Sequence, residues 1–276
     1  MKKVLLIAFL FSCSTFAIAQ IKTPAPSPTQ TIKQDFALSS IEITYSRPVV
    51  KGRKIFGDLV PYGKMWRTGA NGATRIKFGD DVVIGGKPMK AGEYALYTIP
   101  GESEWEIIFN KGVTNGGLTG YKPEEDVIKF KVKPEILKAP VESFTIELAD
   151  VKPMSTDLQL RWENTLVNIP ITTEFDSKIM AQIDDAMNKD SKPYYQAAMY
   201  YSENGKDLNQ AVKWFDKAIE QNPKGYWIYH QKANALVKLG KKSEAKVAAQ
   251  KSMVLAREQK NDDYVTLNEK LIAGLN

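Results

Sequence analysis

Near Phe175 the sequence changes its repeat, and that change demands two different kinds of core in one chain. Before it the chain reads strand after strand: TIKQDFAL, SIEITYS, ATRIKF, VVIGGK, GEYALYTIP, EWEIIFN, DVIKFKVKP, ESFTIELADV, DLQLRWE and LVNIPITTEF. Several of these alternate apolar and polar residues, the period of half-buried antiparallel strands. Gly85-Gly86 reads as a hairpin turn, and Pro100-Gly101 and Glu163-Asn164 mark further turns. After Phe175 apolar residues fall three or four apart, as in Ile179, Ile183, Ala186 and Met187, and strand signals stop. The expected fold is therefore α+β as a two-domain chain: an antiparallel β-sandwich over residues 31–172, then an all-α domain over 176–276.

The helical half carries an internal repeat. Ala211, Phe215 and Ala218 recur 34 positions later as Ala245, Ala249 and Ser252, and Gly205-Lys206 is echoed by Gly240-Lys241. This period, with small residues at two packing points and Pro223 closing the first unit, looks like tetratricopeptide repeats. Ala249, Ser252 and Arg257 depart from the pattern, where a large residue, Ala and Pro are expected. Two repeats need covered ends, so the helices at 176–189 and 262–274 are expected to cap them. Tyr194, Tyr195, Tyr201, Trp214, Tyr226, Trp227 and Tyr229 are mostly core in this reading, with any left on the groove acting as anchors for a peptide.

The N-terminus reads as an export signal. Lys2 and Lys3 precede an apolar run, Val4 to Phe11, too short to span a bilayer, and Ala17-Ile18-Ala19 supplies small residues before Gln20. Residues 1–19 are expected to be a signal peptide cleaved after Ala19, residues 20–30 a Pro-spaced linker, and the address periplasmic or secreted. A competing reading makes Cys13 the acylated residue of a lipoprotein, against which Phe11 is bulky. Cleavage after Ala19 removes the chain's single cysteine, and with it disulfides, thiolate nucleophiles and Cys-ligated metals. Removing Lys2 and Lys3 leaves 36 basic against 32 acidic residues, a net charge of +4. So mild a charge excludes a nucleic-acid binder, and no later segment has the apolar length of a membrane helix.

Motifs for chemistry are sparse. His230 is the single histidine and has no Ser or Cys motif beside it, so it reads as structural or surface. Asp80-Asp81, Glu124-Glu125-Asp126 and Asp262-Asp263 are adjacent carboxylates flanked by turns, without calcium-loop spacing. Residues 112–120 lack the Gly-Lys-Ser/Thr ending of a phosphate loop and read as a hairpin tip. Lys238, Lys241, Lys242, Lys246 and Lys251 read as a solvated face. No cofactor or metal is implied.

The stretch between IEITY and ATRIKF is different. Nearly thirty residues dense in Gly, Arg, Pro and aromatics form a loop longer than compact domains ordinarily keep, unless it binds something. Tyr45, Arg47, Arg53, Trp66, Arg67, Asn71 and Thr74 are the candidate ligand-binding residues. Arginine offers a bidentate fork, Trp a flat face, and Asn and Thr directional hydrogen bonds. The same residues equally describe a plug whose arginines tether loop carbonyls.

Those motifs also carry a resemblance. Tyr45-Ser46-Arg47-Pro48, Lys51-Gly52-Arg53, Ile55-Phe56-Gly57, Val60-Pro61-Tyr62-Gly63 and Trp66-Arg67-Thr68-Gly69-Ala70-Asn71, with Thr74, resemble the signature of the domain of unknown function 2911 family. The run Ala91 to Pro100, Trp105 to Asn110, Tyr121, Asp126 and Leu160 to Trp162 continue it over about residues 30–172. The resemblance implies an exported protein and no particular activity. Asn115-Gly116-Gly117 stands where that pattern carries a Trp-Gly pair. The leading functional expectation is an exported, non-catalytic binding protein of the cell envelope. Its β domain would hold a small polar ligand or glycan, and its helices a protein or peptide. The alternatives are a glycan hydrolase using Asp58, Glu93 or Asp126, since such cleavage needs two carboxyls, and a scaffold in which only the helical groove works.

Overall fold

A computed structural model describes residues 23–275. The expected signal peptide and Cys13 lie outside the described residues. The chain divides into two compact units, the first ending at Glu174 and the second starting at Phe175.

Among the described residues of the first unit, ten strands form two antiparallel sheets. One sheet has the order β1 (Thr29–Phe36), β2 (Ser39–Ser46), β3 (Thr74–Phe78), β6 (Gly92–Ile99), β7 (Trp105–Asn110), β8 (Asp126–Val132). The other runs β5 (Lys87–Met89), β4 (Val82–Ile84), β10 (Ser155–Thr172), β9 (Glu135–Lys152). Alternation drives the pairing: β2 buries Ile41, Ile43 and Tyr45, β3 buries Ile76 and Phe78, and β10 buries Leu158, Leu160 and Trp162. These side chains share one core between the sheets. Tyr45 stitches it, since its hydroxyl accepts the Ile146 N–H at 2.9 Å and lies 3.2 Å from the Ile146 carbonyl. Gly85 and Gly86, at φ 57° and 76°, make the tight turn between β4 and β5.

Strand β6 is buried on both faces from Tyr94 to Thr98, because Ala95 and Tyr97 pack on Ile108 and Ala73 outside the main core, beneath Tyr121. One turn expectation needs correction: Glu163-Asn164 is not a turn. Glu163 sits at φ 51° in a bulge where the β9–β10 register shifts, so β10 runs through it as one 18-residue strand.

The second unit contains α1 (Asp176–Met187), α2 (Tyr194–Glu203), α3 (Leu208–Gln221), α4 (Tyr226–Lys238), α5 (Lys242–Glu258) and α6 (Asp262–Ala273). Ala198, Ala211, Phe215, Ala218, Ile228 and Ala235 form one core, and Ala233, Leu236, Ala245, Ala248 and Ala249 a second. So many alanines let the helix backbones approach closely. Asp207 caps α3, accepting from the amides of Asn209 at 2.8 Å and Gln210 at 3.3 Å. Helix α6 packs on α5 and α4 as the expected cap. Helix α1 does not cap in that way: it buries only Ile183 and is tied to the repeats by Asp176, which accepts from Tyr200 Oη and Lys206 Nζ, each at 2.7 Å. No described helix is long and apolar enough to cross a membrane.

Ser252 explains one departure from the repeat. Its hydroxyl donates to the Tyr226 carbonyl at 2.7 Å and accepts Asn268 Nδ2 at 2.8 Å, while Asn268 Oδ1 meets His230 Nδ1 at 2.8 Å. Alanine at 252 could not enter this buried chain of polar groups.

Candidate functional site

The segment from Arg47 to Ala73 is irregular but pinned on both sides. Phe144 N donates to Pro48 O and Val50 N to Glu142 O, both at 2.8 Å, laying residues 48–50 along β9. At the other end Trp66 pairs with Thr98, N–H to carbonyl at 2.7 Å and carbonyl to N–H at 3.0 Å, extending the ladder beside β6. Apolar side chains supply the reason. Ile55, Phe56, Val60 and Trp66 enter the sandwich core, where Phe56 makes edge contacts with Trp66, Trp105 and Trp162.

The backbone after Trp66 is strained. Thr68 is fully buried at φ 55°, a left-handed conformation that a β-branched residue rarely adopts. Its hydroxyl bonds Thr98 Oγ1 at 3.1 Å, and its carbonyl accepts the Thr74 hydroxyl. Asn71, also left-handed at φ 59°, donates through Nδ2 to Ser27 O and Ser46 Oγ. These bonds hold the turn that presents Arg67.

Over this turn lies a cavity of about 470 Å³, within the usual ~300–1,000 Å³ of small-molecule sites. Trp66 and Trp162 lie at its base, at 8% and 2% exposure. Four cations line it, Lys51, Arg53, Lys64 and Arg67, and no carboxylate does. None of the four forms an ion pair among the described residues. The two guanidiniums are instead held by carbonyls. Arg53 donates Nε to Val50 O at 2.9 Å and Nη2 to Val49 O at 2.6 Å, and Arg67 donates Nη1 to Asn71 O at 2.7 Å. Carbonyls fix the planes of these groups without neutralising their charge, so the remaining N–H donors stand ready for an anion.

The cavity thus gathers four of the seven sequence candidates: Arg53, Trp66, Arg67 and Asn71. The other three lie elsewhere. Tyr45 is the core stitch described above, and burial pushes its phenol above the ordinary value. Arg47 donates to Phe144 O at 3.1 Å and Thr145 Oγ1 at 2.9 Å, joining β2 to β9. Thr74 is buried beneath Thr68. Sequence reasoning missed Lys51, Lys64 and Leu59, which belong to the same loop, and Leu118 and Trp162, which arrive from distant segments. For the lysines the signal was at hand, since the loop holds basic residues in excess; for Leu118 and Trp162 there was none.

Leu118 is delivered by the turn-rich segment 111–122. Gly117, at φ 78°, presses against Arg67, where an added Cβ would stand 2.6 Å from Nη1. Tyr97 Oη donates to Gly117 O at 3.0 Å and accepts Asn115 Nδ2 at 3.1 Å. At the base of the segment Asp126 accepts from Asn110 Nδ2 at 2.8 Å and Tyr121 Oη at 2.7 Å, with Lys129 Nζ 2.6 Å away. Burial, then the hydrogen bond to Asp126, holds the Tyr121 phenol well above the ordinary tyrosine range.

The carboxylates weighed for hydrolysis are not on the cavity wall. Glu93 pairs with Arg75 at 3.3 Å, Asp126 is engaged as described, and Asp58 does not line the cavity. Among the described residues no three His, Cys, Asp or Glu gather as they would around a metal ion.

The helical unit has its own cavity of about 520 Å³, lined by Gln231, Asn234 and Lys238 of α4, Lys270 and Leu271 of α6, and Glu203 of α2. Of the aromatics expected to be mostly core, Tyr194, Tyr195, Tyr201, Trp214 and Trp227 pack against the first helical core, and none of the seven lines this cavity.

Residues 27–171 match the model of a family described as a protein of unknown function, DUF2911. Residues 191–224 and 214–247 each match a tetratricopeptide repeat model. No curated protein matches the chain.

Proposed function

This chain belongs to the DUF2911 family, and from that premise we propose that it is an exported, non-catalytic interaction protein whose β unit holds a small anion while its repeats hold a protein or peptide segment. One observation carries the reading. Four cations, none ion-paired among the described residues, converge on a cavity based by two indoles, with one carboxylate nearby, Glu142, held on the Lys51 backbone N–H at 2.8 Å. Like charges gathered with no carboxylate on the cavity wall fit a site completed by a negative ligand. Among the described residues no carboxylate or histidine stands on the wall to run hydrolysis, which favours binding over catalysis. The helical part rests on the repeats, whose stacked helices commonly present a peptide-binding concave face.

Titration calorimetry of the whole protein with phosphate, with citrate and with maltose tests the reading. Saturable heat with an anion, absent with maltose and lost in Arg53→Gln/Arg67→Gln, is expected. No anion bound at millimolar concentration, or equal binding by that variant, overturns it. Export is tested separately by fractionating cells that express the full chain with a C-terminal tag; recovery with the cytoplasmic fraction overturns that part.

A further inference from the structure

Resting on the anion-binding reading, we infer that the ligand of the β-unit cavity is an amphipathic anion, a carboxylate or phosphate head on an apolar body, and not a glycan. The head is specified by Lys51, Arg53, Lys64 and Arg67. The body is specified by what else the cavity presents. Leu59 and Leu118 come from separate segments to the same cavity and remain 44% and 42% exposed, an apolar pair left facing water beside uncompensated charge. Val49, Val60, Pro61 and Met65 continue the apolar lining toward the indoles.

A glycan would be badly served here. Its hydroxyls need acceptors as well as donors, and glycan sites supply them as carboxylates and amide oxygens. Among the described residues this wall has no carboxylate, and the carbonyls of Val49 and Asn71 each already accept one bond from Arg53 or Arg67. A wall richer in charged donors than in acceptors selects a ligand rich in lone pairs and poor in hydroxyls. A cavity volume of about 470 Å³ sets the scale at a single small amphiphile.

Calorimetry with acetate, butanoate, hexanoate and octanoate, with octanol and octyl phosphate beside them, tests the inference on the whole protein. Affinity should rise by about threefold to fourfold per methylene until the cavity is filled, from ~0.8 kcal/mol per buried CH₂. Octyl phosphate should follow octanoate, and octanol should bind at least tenfold more weakly. In Leu59→Gln/Leu118→Gln, two exposed positions, the gain in affinity per methylene should shrink; an unchanged gain overturns the inference. Equal affinity for acetate and octanoate overturns this inference and leaves anion binding standing. Octanol equal to octanoate overturns both, as does absence of binding by every anion. Retention on phosphatidylglycerol vesicles that octanoate fails to displace overturns it in favour of a membrane surface.

Discussion

The indole of Trp66 lies stacked on that of Trp162, ring centroids 5.7 Å apart and planes 17° from parallel. One ring belongs to the irregular loop and the other to β10, so a single contact fastens the loop to the second sheet and closes the base of the cavity. Phe56 and Phe144 pack edge-on around it. Trp162→Ala should therefore cost about 3–5 kcal/mol, the range for removing a large buried aromatic. A guanidinium titration read by fluorescence for the β unit, with helical ellipticity followed separately, measures it. A cost below about 1 kcal/mol would mean that the loop does not depend on this stack.

Tyr121 predicts an alkaline limit to stability. Burial, then its bond to Asp126, raises its phenol above the ordinary 10.0, and burial moves Tyr45, Tyr94 and Tyr97 the same way. A folded-state pKa above the unfolded one means that the folded chain keeps its proton longer. The stability this contributes is whole below pH ~10 and is lost as pH rises from there toward the raised value. Tyr121→Phe should flatten the fall in unfolding free energy above pH ~10, by up to about 1.4 kcal/mol per pH unit. Identical slopes for the two proteins would contradict the assignment.

Much of this architecture was legible in the sequence because it rests on periodicity. Alternation at Ile41, Ile43 and Tyr45 and the 34-residue recurrence of Ala211 as Ala245 are local signals that burial later enforces. The lining of the cavity was half legible. Arg53, Trp66 and Arg67 announced themselves by type within one loop, whereas Trp162 reaches the same cavity from about a hundred residues away, and nothing local marks such a convergence. Tyr45, Arg47 and Thr74 show the opposite limit. A polar side chain that reaches a ligand and one that satisfies a backbone carbonyl look alike until the carbonyl is placed.

The His230–Asn268–Ser252 chain should behave as one unit. Asn268 is fully buried, and Asn268→Ala would strand His230 Nδ1 and leave the Ser252 hydroxyl with only its bond to the Tyr226 carbonyl. The expected cost is roughly 1–3 kcal/mol in the unfolding of the helical unit, the range for one abandoned buried group. Adding Ser252→Ala should cost far less than it does alone, and a double-mutant cycle shows this. Strict additivity would mean that the three groups act independently.

Gly117 is predicted to position Arg67. Alanine there meets Nη1 at 2.6 Å and the Asn71 carbonyl at 3.1 Å, and it must adopt φ +78°. Gly117→Ala should weaken octanoate binding about tenfold while lowering stability by about 1 kcal/mol. Gly116→Ala, which meets no atom within 4 Å, is the control and should bind as wild type does. Equal affinity in Gly117→Ala would remove this segment from the site.

The central claim is that the gathered positive charge exists for a ligand. It is tested most directly by denaturant titration of wild type and Lys51→Gln/Lys64→Gln, each with and without octanoate. Neither lysine is ion-paired among the described residues, and both are exposed. Without octanoate the variant should match wild type within about 0.5 kcal/mol or exceed it, since only repulsion is removed. With octanoate, wild type should gain stability as any protein does when its folded form alone binds, and the variant should gain markedly less. An equal gain in both proteins would contradict the account and assign the four cations to the fold alone.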